Sequence, residues 1–304
     1  MAAPEKTEDI LDVNRRYHDV AAADYDVKWG VDFGEIGRTQ VLGKVEKLLG
    51  RNPGPFARSL EIGSGTGYFS LNLLQAGVVR SAVCTDVSPG MLAALQANAD
   101  RLGLDVRTAA CDAAALPFGD EEFDLVLGHA VLHHLPELDR AFAEFRRVLR
   151  PGGVLMFAGE PSRHGDRIAG LPKRAGLAAA PLWRRLVGAG AARQDGGANG
   201  HPEDHALEAV VDVHAFTPGD LERHARAAGF DGVRVRGEEL LANWFGWFNR
   251  TVEASARFES IPRAWFQYAY HGYIALQKVD AAVLEPHLPP AGFYNLMLTA
   301  RKPG

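Results

Sequence analysis

A glycine-rich turn at residues 61–70, EIGSGTGYFS, is the strictest constraint on how this chain can fold. Gly63, Gly65 and Gly67 follow the apolar run SLEI. Glycine inside a helix or strand costs roughly 0.5–1 kcal/mol relative to alanine, so this cluster needs a physical reason. Either the turn is very tight, or a ligand comes very near the main chain, as nucleotides do between a first strand and a helix.

Strand and helix patterns alternate from this turn to about residue 160, which indicates parallel βαβ units. Two helices, 8–28 and 35–50, precede the alternation, and a helix that starts at Thr217 resumes it. The pattern predicts an α/β fold with a doubly wound, Rossmann-like sheet of seven strands and a helical, aromatic-rich insertion before the last strand. The predicted strands are 59–62, 81–85, 106–110, 123–127, 154–158, 233–235 and 295–300.

Composition excludes several classes of protein. The net charge of -5 and the pI of about 6.1 argue against a nucleic-acid partner. Two cysteines, Cys84 and Cys111, imply no disulfide framework. The N-terminal stretch lacks the pattern of a secretory signal, and no run of about 18 apolar residues predicts a transmembrane helix. We therefore expect a cytoplasmic protein.

Polar residues stand at the ends of the next three predicted strands. Asp86 ends the second strand, about 20 residues beyond the turn, where a carboxylate can accept both hydroxyls of a ribose. Asp112 follows the third strand, the fourth ends at Gly128-His129-Ala130, and LRPGG precedes the fifth. This order resembles the class I S-adenosylmethionine-dependent methyltransferases, closely over residues 55–160 and loosely over 214–236.

The resemblance implies S-adenosylmethionine as the cofactor. The turn would wrap the methionine part, the second strand end would hold the ribose and adenine, and an N-terminal tyrosine would close over the cofactor. Tyr25 is the candidate, with Tyr17 as its neighbour; ordinary helix packing is the alternative for both. The residues implied are Tyr25, Glu61, Gly63, Ser64, Gly65, Gly67, Asp86, Val87, Met91, Asp112, Ala113, His129 and Ala130.

Candidate catalytic residues lie where the fourth and fifth strands end. A hydroxyl acceptor benefits from a base, an amine has to be neutral, and a carboxylate needs neither. His129, His133 and Glu160 are the predicted catalytic residues. We expect no metal site, because the adjacent side chains of His133 and His134 diverge and lack a clear set of carboxylate partners. His134 is expected to pack structurally, while His214 and His271 are weaker candidates.

The resemblance and the patterns together divide the chain into six segments. Residues 161–212 are expected to be irregular and partly mobile, and their cations and leucines suit a membrane surface, an anionic substrate or plain solvent. Ten aromatic residues at 244–273 suggest a lid over an apolar acceptor, a small core or a homodimer interface. The segments are an N-terminal helical cap (1–52), the cofactor-binding core (53–160), a basic insertion (161–212), core (213–239), the aromatic-rich lid (240–290) and the last strand (291–304).

These observations predict methyl transfer to a small, hydrophobic molecule, with oxygen favoured over nitrogen or carbon. One alternative is a lipid methyltransferase with peripheral membrane contact. Another is a regulatory protein that binds the cofactor without catalysis. A nicotinamide dehydrogenase is disfavoured, because Tyr68 stands where the dinucleotide fingerprint has its third glycine.

Overall fold

The computed structural model describes residues 7–22, 25–26, 30–192 and 213–304. Arg193, the glycine-rich stretch 195–200 and part of the predicted helix 8–28 lie outside the described residues. The chain divides into two compact units. The first comprises Met1–Glu160, Leu207–Val235 and Met297–Gly304, and the second comprises Pro161–Ala206 and Arg236–Leu296.

A seven-stranded sheet has the order β3-β2-β1-β4-β5-β7-β6. Parallel pairing joins β1 to β2 and β4, β2 to β3, and β4 to β5. The strand order reverses beside β1, so the carboxyl ends of β1 and β4 form the switch point at which such sheets bind ligands. The predicted Rossmann-like fold is confirmed. The strands are β1 (Ser59–Ile62), β2 (Ala82–Asp86), β3 (Arg107–Ala110), β4 (Phe123–His129), β5 (Leu149–Pro161), β6 (Asp231–Glu238) and β7 (Asn295–Arg301).

Local signals set the helix ends. The helix that follows β2 begins at Pro89, where the Ser88 hydroxyl accepts the Met91 N–H at 3.0 Å, and it ends at Leu102, before Gly103 with a φ of 66°. The helices are α1 (Thr7–Ala21), α2 (Glu35–Leu49), α3 (Tyr68–Gln75), α4 (Pro89–Leu102), α5 (Leu138–Val148), α6 (Arg163–Val187), α7 (Pro218–Ala227), α8 (Leu241–Ala254) and α9 (Arg263–Val279).

Apolar side chains cover both faces of the sheet in the first unit. Val41 of α2 and Phe69 of α3 are buried in one cluster with Leu125 and Leu127 of β4. On β5, Phe157 lies with its ring centroid 5.3 Å from that of Phe145 of α5. Helices on both faces are the doubly wound arrangement that the alternation predicts.

The second unit is helical. Helix α8 packs against both α6 and α9, and Trp183, Val252 and Ile261 belong to its buried core. Gly176 lets two helices approach, because a Cβ there would lie 2.8 Å from Cβ of Thr251.

The expectation of an irregular segment is wrong for α6, a single helix of 25 residues. Pro172 and Pro181 inside it, together with several glycines, conceal the helical pattern in the sequence. Packing of its small-residue face on α8 outweighs these local preferences.

None of the helices in the described ranges is long and apolar enough to span a bilayer.

Candidate functional site

The glycine-rich turn joins β1 to α3 at the switch point. Gly63, Gly65 and Gly67 have φ values of 60°, 50° and 95°, in the left-handed region that favours glycine. A Cβ on Gly63 would lie 2.3 Å from Cγ2 of Val131, and one on Gly67 would lie 2.9 Å from Cδ1 of Leu71. A Cβ on Gly65 would meet no atom within 4 Å. Tight packing therefore explains two of the glycines, and the third faces open space that a ligand can enter.

Asp86 holds this turn from the end of β2. Its Oδ2 accepts the Gly65 N–H at 2.9 Å, and its Oδ1 accepts the Ser88 N–H at 2.9 Å. Burial raises the pKa of Asp86 above its ordinary value, while the nearby His18 and the backbone N–H groups oppose that shift. The carboxylate thus lies beside the half-buried backbone of Gly65.

Two buried polar groups on β1 and the turn match the chemistry of S-adenosylmethionine. Burial, with a smaller contribution from Asp86, raises the pKa of Glu61 to about 8. A cation nearby would favour the ionised form of this carboxyl. The Oγ of Ser64 is buried without a hydrogen-bond partner. A ligand with a sulfonium, an ammonium group and hydrogen-bonding atoms fits both features.

The N-terminal segment is tied to the same strand ends. Oδ1 of Asp19 accepts the Ser88 hydroxyl at 2.5 Å. The carboxylate of Asp26 accepts the Thr66 hydroxyl at 2.5 Å and the Asn98 amide at 3.0 Å. Sequence reasoning missed these two aspartates, because their partners are 40 to 72 residues away along the chain.

Tyr25 lies close to Asp86. Burial and the charges of Asp86 and Asp26 raise the pKa of Tyr25 to about 12, so its hydroxyl keeps its proton. Tyr17 is buried, and its ring centroid lies 5.1 Å from that of His18. Sequence reasoning also missed His18. Its ring contacts that of Tyr17, and its charge opposes the rise in the pKa of Asp86.

The remaining predicted cofactor residues follow β2 and β3. Met91 is buried in the first turn of α4, and Val87 is half-buried. The N–H of Cys111 donates to the Asp86 carbonyl at 3.1 Å, which places the residues after β3 next to the end of β2. Oδ1 of Asp112 accepts the Ala114 N–H at 2.9 Å. Ala113, between them in the chain, is buried.

His129 and Ala130 end β4. The His129 ring stacks on Phe69 with centroids 4.7 Å apart, and a Cβ on Gly159 would lie 2.7 Å from its Nε2. Ala130 has a φ of 52°, unusual for a residue with a side chain, and its N–H donates to the Ala158 carbonyl at 2.8 Å. The chain therefore bends sharply just beyond the switch point.

Glu160 organises the segment beyond this bend. Its buried carboxylate accepts the N–H groups of Val131 and Leu132, each at 3.0 Å, and that of His133 at 3.2 Å. It also contacts Nδ1 of His133 at 2.9 Å. With these four contacts Glu160 positions the 3-10 turn Leu132–His134 and orients His133. A His133 tautomer with its proton on Nδ1 offers Nε2 as the basic nitrogen.

The other candidate histidines differ in how close they lie to His133. The expectation that the side chains of His133 and His134 diverge is wrong, because their ring centroids lie 3.9 Å apart. Nε2 of His214 lies 3.0 Å from the Leu135 carbonyl oxygen, and burial lowers the pKa of His214. His271 belongs to the second unit. No group of three or more metal-ligating side chains among the described residues could hold an ion.

Residues 60–157 match the family model described as a methyltransferase domain. The chain is 42% identical over 192 residues to malonyl-[acyl-carrier protein] O-methyltransferase of Methylococcus capsulatus, covering 61% of this chain and 56% of that protein. It is 36% identical over 144 residues to the ubiquinone/menaquinone biosynthesis C-methyltransferase UbiE of Cupriavidus metallidurans, covering 46% of this chain and 56% of that protein. The chain spans about half the length of the curated relatives it matches.

The fold is similar to that of a solved structure, phosphoethanolamine N-methyltransferase 2 of Haemonchus contortus in complex with S-adenosyl-L-methionine. The TM-score is 0.58 at 19% identity, and the match covers 99% of this chain and 61% of that chain.

Proposed function

Because residues 60–157 are a domain of the class I S-adenosylmethionine-dependent methyltransferase family, we propose that the protein transfers a methyl group to an oxygen of a small, hydrophobic acceptor. The observation that carries the proposal is the turn at Gly65. Its Cβ position is open, its N–H is held by Asp86, and the adjacent Ser64 hydroxyl is buried without a partner.

The proposed roles follow from these positions. S-adenosylmethionine, when bound, supplies an activated methyl group on a sulfonium. Asp86 accepts the ribose hydroxyls, and Glu61 provides a buried carboxyl for the positive end of the cofactor. Tyr25 covers the site with a protonated hydroxyl. The adenine contacts of Val87, Met91, Asp112 and Ala113 stay predictions, as do the contacts of His129 and Ala130 with the methionine tail.

Oxygen is the proposed acceptor atom for two reasons. The relative at 42% identity is named an O-methyltransferase. A carboxylate acceptor also needs no general base. This suits the site, because the carboxylate of Glu160 is already engaged by three N–H groups and is not available as a base. If the acceptor is instead a hydroxyl, His133 is the proposed base, and Glu160 is its positioning residue.

A second candidate is methyl transfer to carbon. The observation in its favour is the 36% identity to a relative named as a C-methyltransferase. Mild alkali identifies a carboxylate acceptor, because it cleaves a methyl ester but leaves a methyl ether or a carbon-bound methyl group in place.

The test uses S-adenosylmethionine labelled in its methyl group. We would incubate it with the purified protein and extract from the source organism, and then separate small molecules, lipids and proteins. We expect alkali-labile label among the small molecules, and none with Asp86→Ala. Alkali-stable label there would exclude a methyl ester and leave a carbon or a hydroxyl oxygen as the acceptor atom, and label in lipid would favour the lipid methyltransferase. Cofactor binding without any transfer would overturn the proposal in favour of a regulatory protein.

The lid role of residues 240–290, a homodimer and a cytoplasmic location stay predictions. Deletion of 240–290 in a variant that still folds tests the first, since a lid predicts weaker acceptor binding.

A further inference from the structure

The outward side of α6 carries an unusual set of exposed leucines. Leu171, Leu177, Leu182 and Leu186 are 60%, 65%, 61% and 76% exposed. A single exposed leucine is ordinary, but four within 16 residues of one helix are not. The buried side of the same helix carries mostly small residues, with Trp183 as its large one. The fold therefore buries the small side chains of α6 and leaves its leucines in water.

Exposed arginines accompany these leucines. At 100° per residue, Leu171, Leu182 and Leu186 fall within roughly 60° of one another around the helix. Three exposed arginines form an adjacent row, and Leu177 lies on the far side of that row. We call these seven residues the outer face of α6; its arginines are Arg167, Arg174 and Arg185.

The charge of α6 is opposite to that of the chain. The helix carries six lysine and arginine residues and one acidic residue, Asp166, whereas the whole chain has a net charge of -5. Two of the cations are engaged within the second unit. Nζ of Lys173 lies 3.9 Å from the ring centroid of Trp247, and Arg184 donates to the Ser255 carbonyl at 3.1 Å. The outer-face arginines thus present a local positive charge to a partner.

Exposed apolar side chains are concentrated in the second unit. Ten of the twelve large hydrophobic residues that are exposed in the described part of the chain belong to it, among them Phe258, Tyr268 and Val283. A lipid surface accommodates scattered apolar side chains because it is deformable, whereas a protein partner has to match them in shape. The combination of leucines, arginines and length is typical of helices that lie in a membrane interface.

We propose that the outer face of α6 binds a membrane surface that contains anionic lipids. The leucines enter the boundary between headgroups and acyl chains, and the arginines bind lipid phosphates. The inference does not depend on methyl transfer.

The test is flotation of the purified protein with two kinds of vesicle, phosphatidylcholine alone and phosphatidylcholine with phosphatidylglycerol. We expect binding to the anionic vesicles that weakens as salt is added. Replacing the three outer-face arginines with glutamine lowers the affinity roughly fivefold per cation, or on the order of 100-fold in all. A matched control removes the same charge from exposed arginines of the first unit and leaves binding unchanged: Arg51→Gln, Arg80→Gln and Arg107→Gln.

Leucine variants separate insertion from simple charge attraction. Replacing Leu171, Leu182 and Leu186 with glutamine lowers vesicle affinity by at least about tenfold, because buried apolar area is lost. Thermal melts that match the unaltered protein confirm that each variant is folded.

Three results would overturn the proposal. The first is no binding to anionic vesicles, and the second is an equal loss in the control triple. The third is a dimer in sedimentation velocity that the leucine variants dissociate while vesicles remain unbound, which would make a second copy of the chain the occupant of this face.

Discussion

We expect that replacing Glu61 with glutamine raises the stability of the cofactor-free protein at neutral pH and weakens its binding of S-adenosylmethionine. Glu61 is buried at the carboxyl end of β1, and its Oε2 accepts the Ser70 N–H at 3.0 Å. Burial and the nearby Asp86 raise its pKa to about 8. The glutamine amide oxygen can accept the same N–H, so the substitution removes the ionisable group and keeps the shape.

The magnitude follows from proton linkage. Above its ordinary pKa of 4.5, Glu61 loses its proton in the unfolded chain and keeps it in the folded one up to about pH 8. Within this window the free energy of unfolding falls by about 1.4 kcal/mol per pH unit. The contribution of Glu61 is therefore fully present below pH 4.5 and lost as the pH rises towards 8. At pH 7 the free energy of unfolding has fallen by on the order of 3 kcal/mol from this cause. Glutamine has no proton to lose, so the variant is not destabilised in this way.

Thermal melts and calorimetry measure the two effects. At pH 7 we expect Glu61→Gln to raise Tm by roughly 6–12 °C, with the difference vanishing near pH 4.5. A lost charge-assisted hydrogen bond weakens cofactor binding by about 10- to 100-fold. Glu46→Gln, an exposed substitution on α2, is the control and changes neither quantity. A variant that is no more stable than the unaltered protein at pH 7, or that binds the cofactor equally well, refutes the reasoning.

Two further predictions concern the turn and the second unit. Gly63→Ala places its Cβ against Val131, and we expect it to lower the free energy of unfolding in urea by about 2–4 kcal/mol. Gly65→Ala costs about 1 kcal/mol of stability, because only its φ opposes a side chain. Calorimetry should nevertheless show that Gly65→Ala lowers cofactor affinity at least roughly tenfold. A larger loss of stability for Gly65→Ala than for Gly63→Ala would contradict this assignment. Asp280 is fully buried and accepts the N–H groups of Leu241 and Ala242 at 3.0 and 2.9 Å. Asp280→Ala should therefore lower the free energy of unfolding in urea by about 2 kcal/mol. A loss below about 0.5 kcal/mol would contradict the role of Asp280 at the start of α8.

Local signals explain why the sheet could be predicted from the sequence. Strand β1 is an apolar run that ends at a glycine turn, and α4 has Ser88 and Pro89 at its start and Gly103 at its end. Such signals act within a few residues. Helix α6 could not be predicted in this way, because its prolines and glycines disfavour a helix locally. Its packing on α8, which links distant parts of the chain, stabilises the helix instead.

The sequence points to the position of the candidate site but not to most of its contacts. The spacing of the glycines and of Asp86 predicts a cofactor site at this turn, but only the structure separates Gly65, which faces open space, from Gly63, which packs on Val131. The contacts of Asp19 and Asp26 join segments far apart in the chain, so no local pattern could reveal them.

A calorimetric titration of the protein with S-adenosylmethionine tests the central claim most directly, with Asp86→Asn as the paired variant. Asparagine keeps the size of the side chain and an oxygen for the Gly65 N–H, but it loses the acceptor for the Ser88 N–H and the charge that we propose binds the ribose hydroxyls. The account predicts one cofactor molecule bound per chain and an affinity on the order of 100-fold weaker in the variant. No binding by the unaltered protein, or equal binding by both proteins, would contradict it.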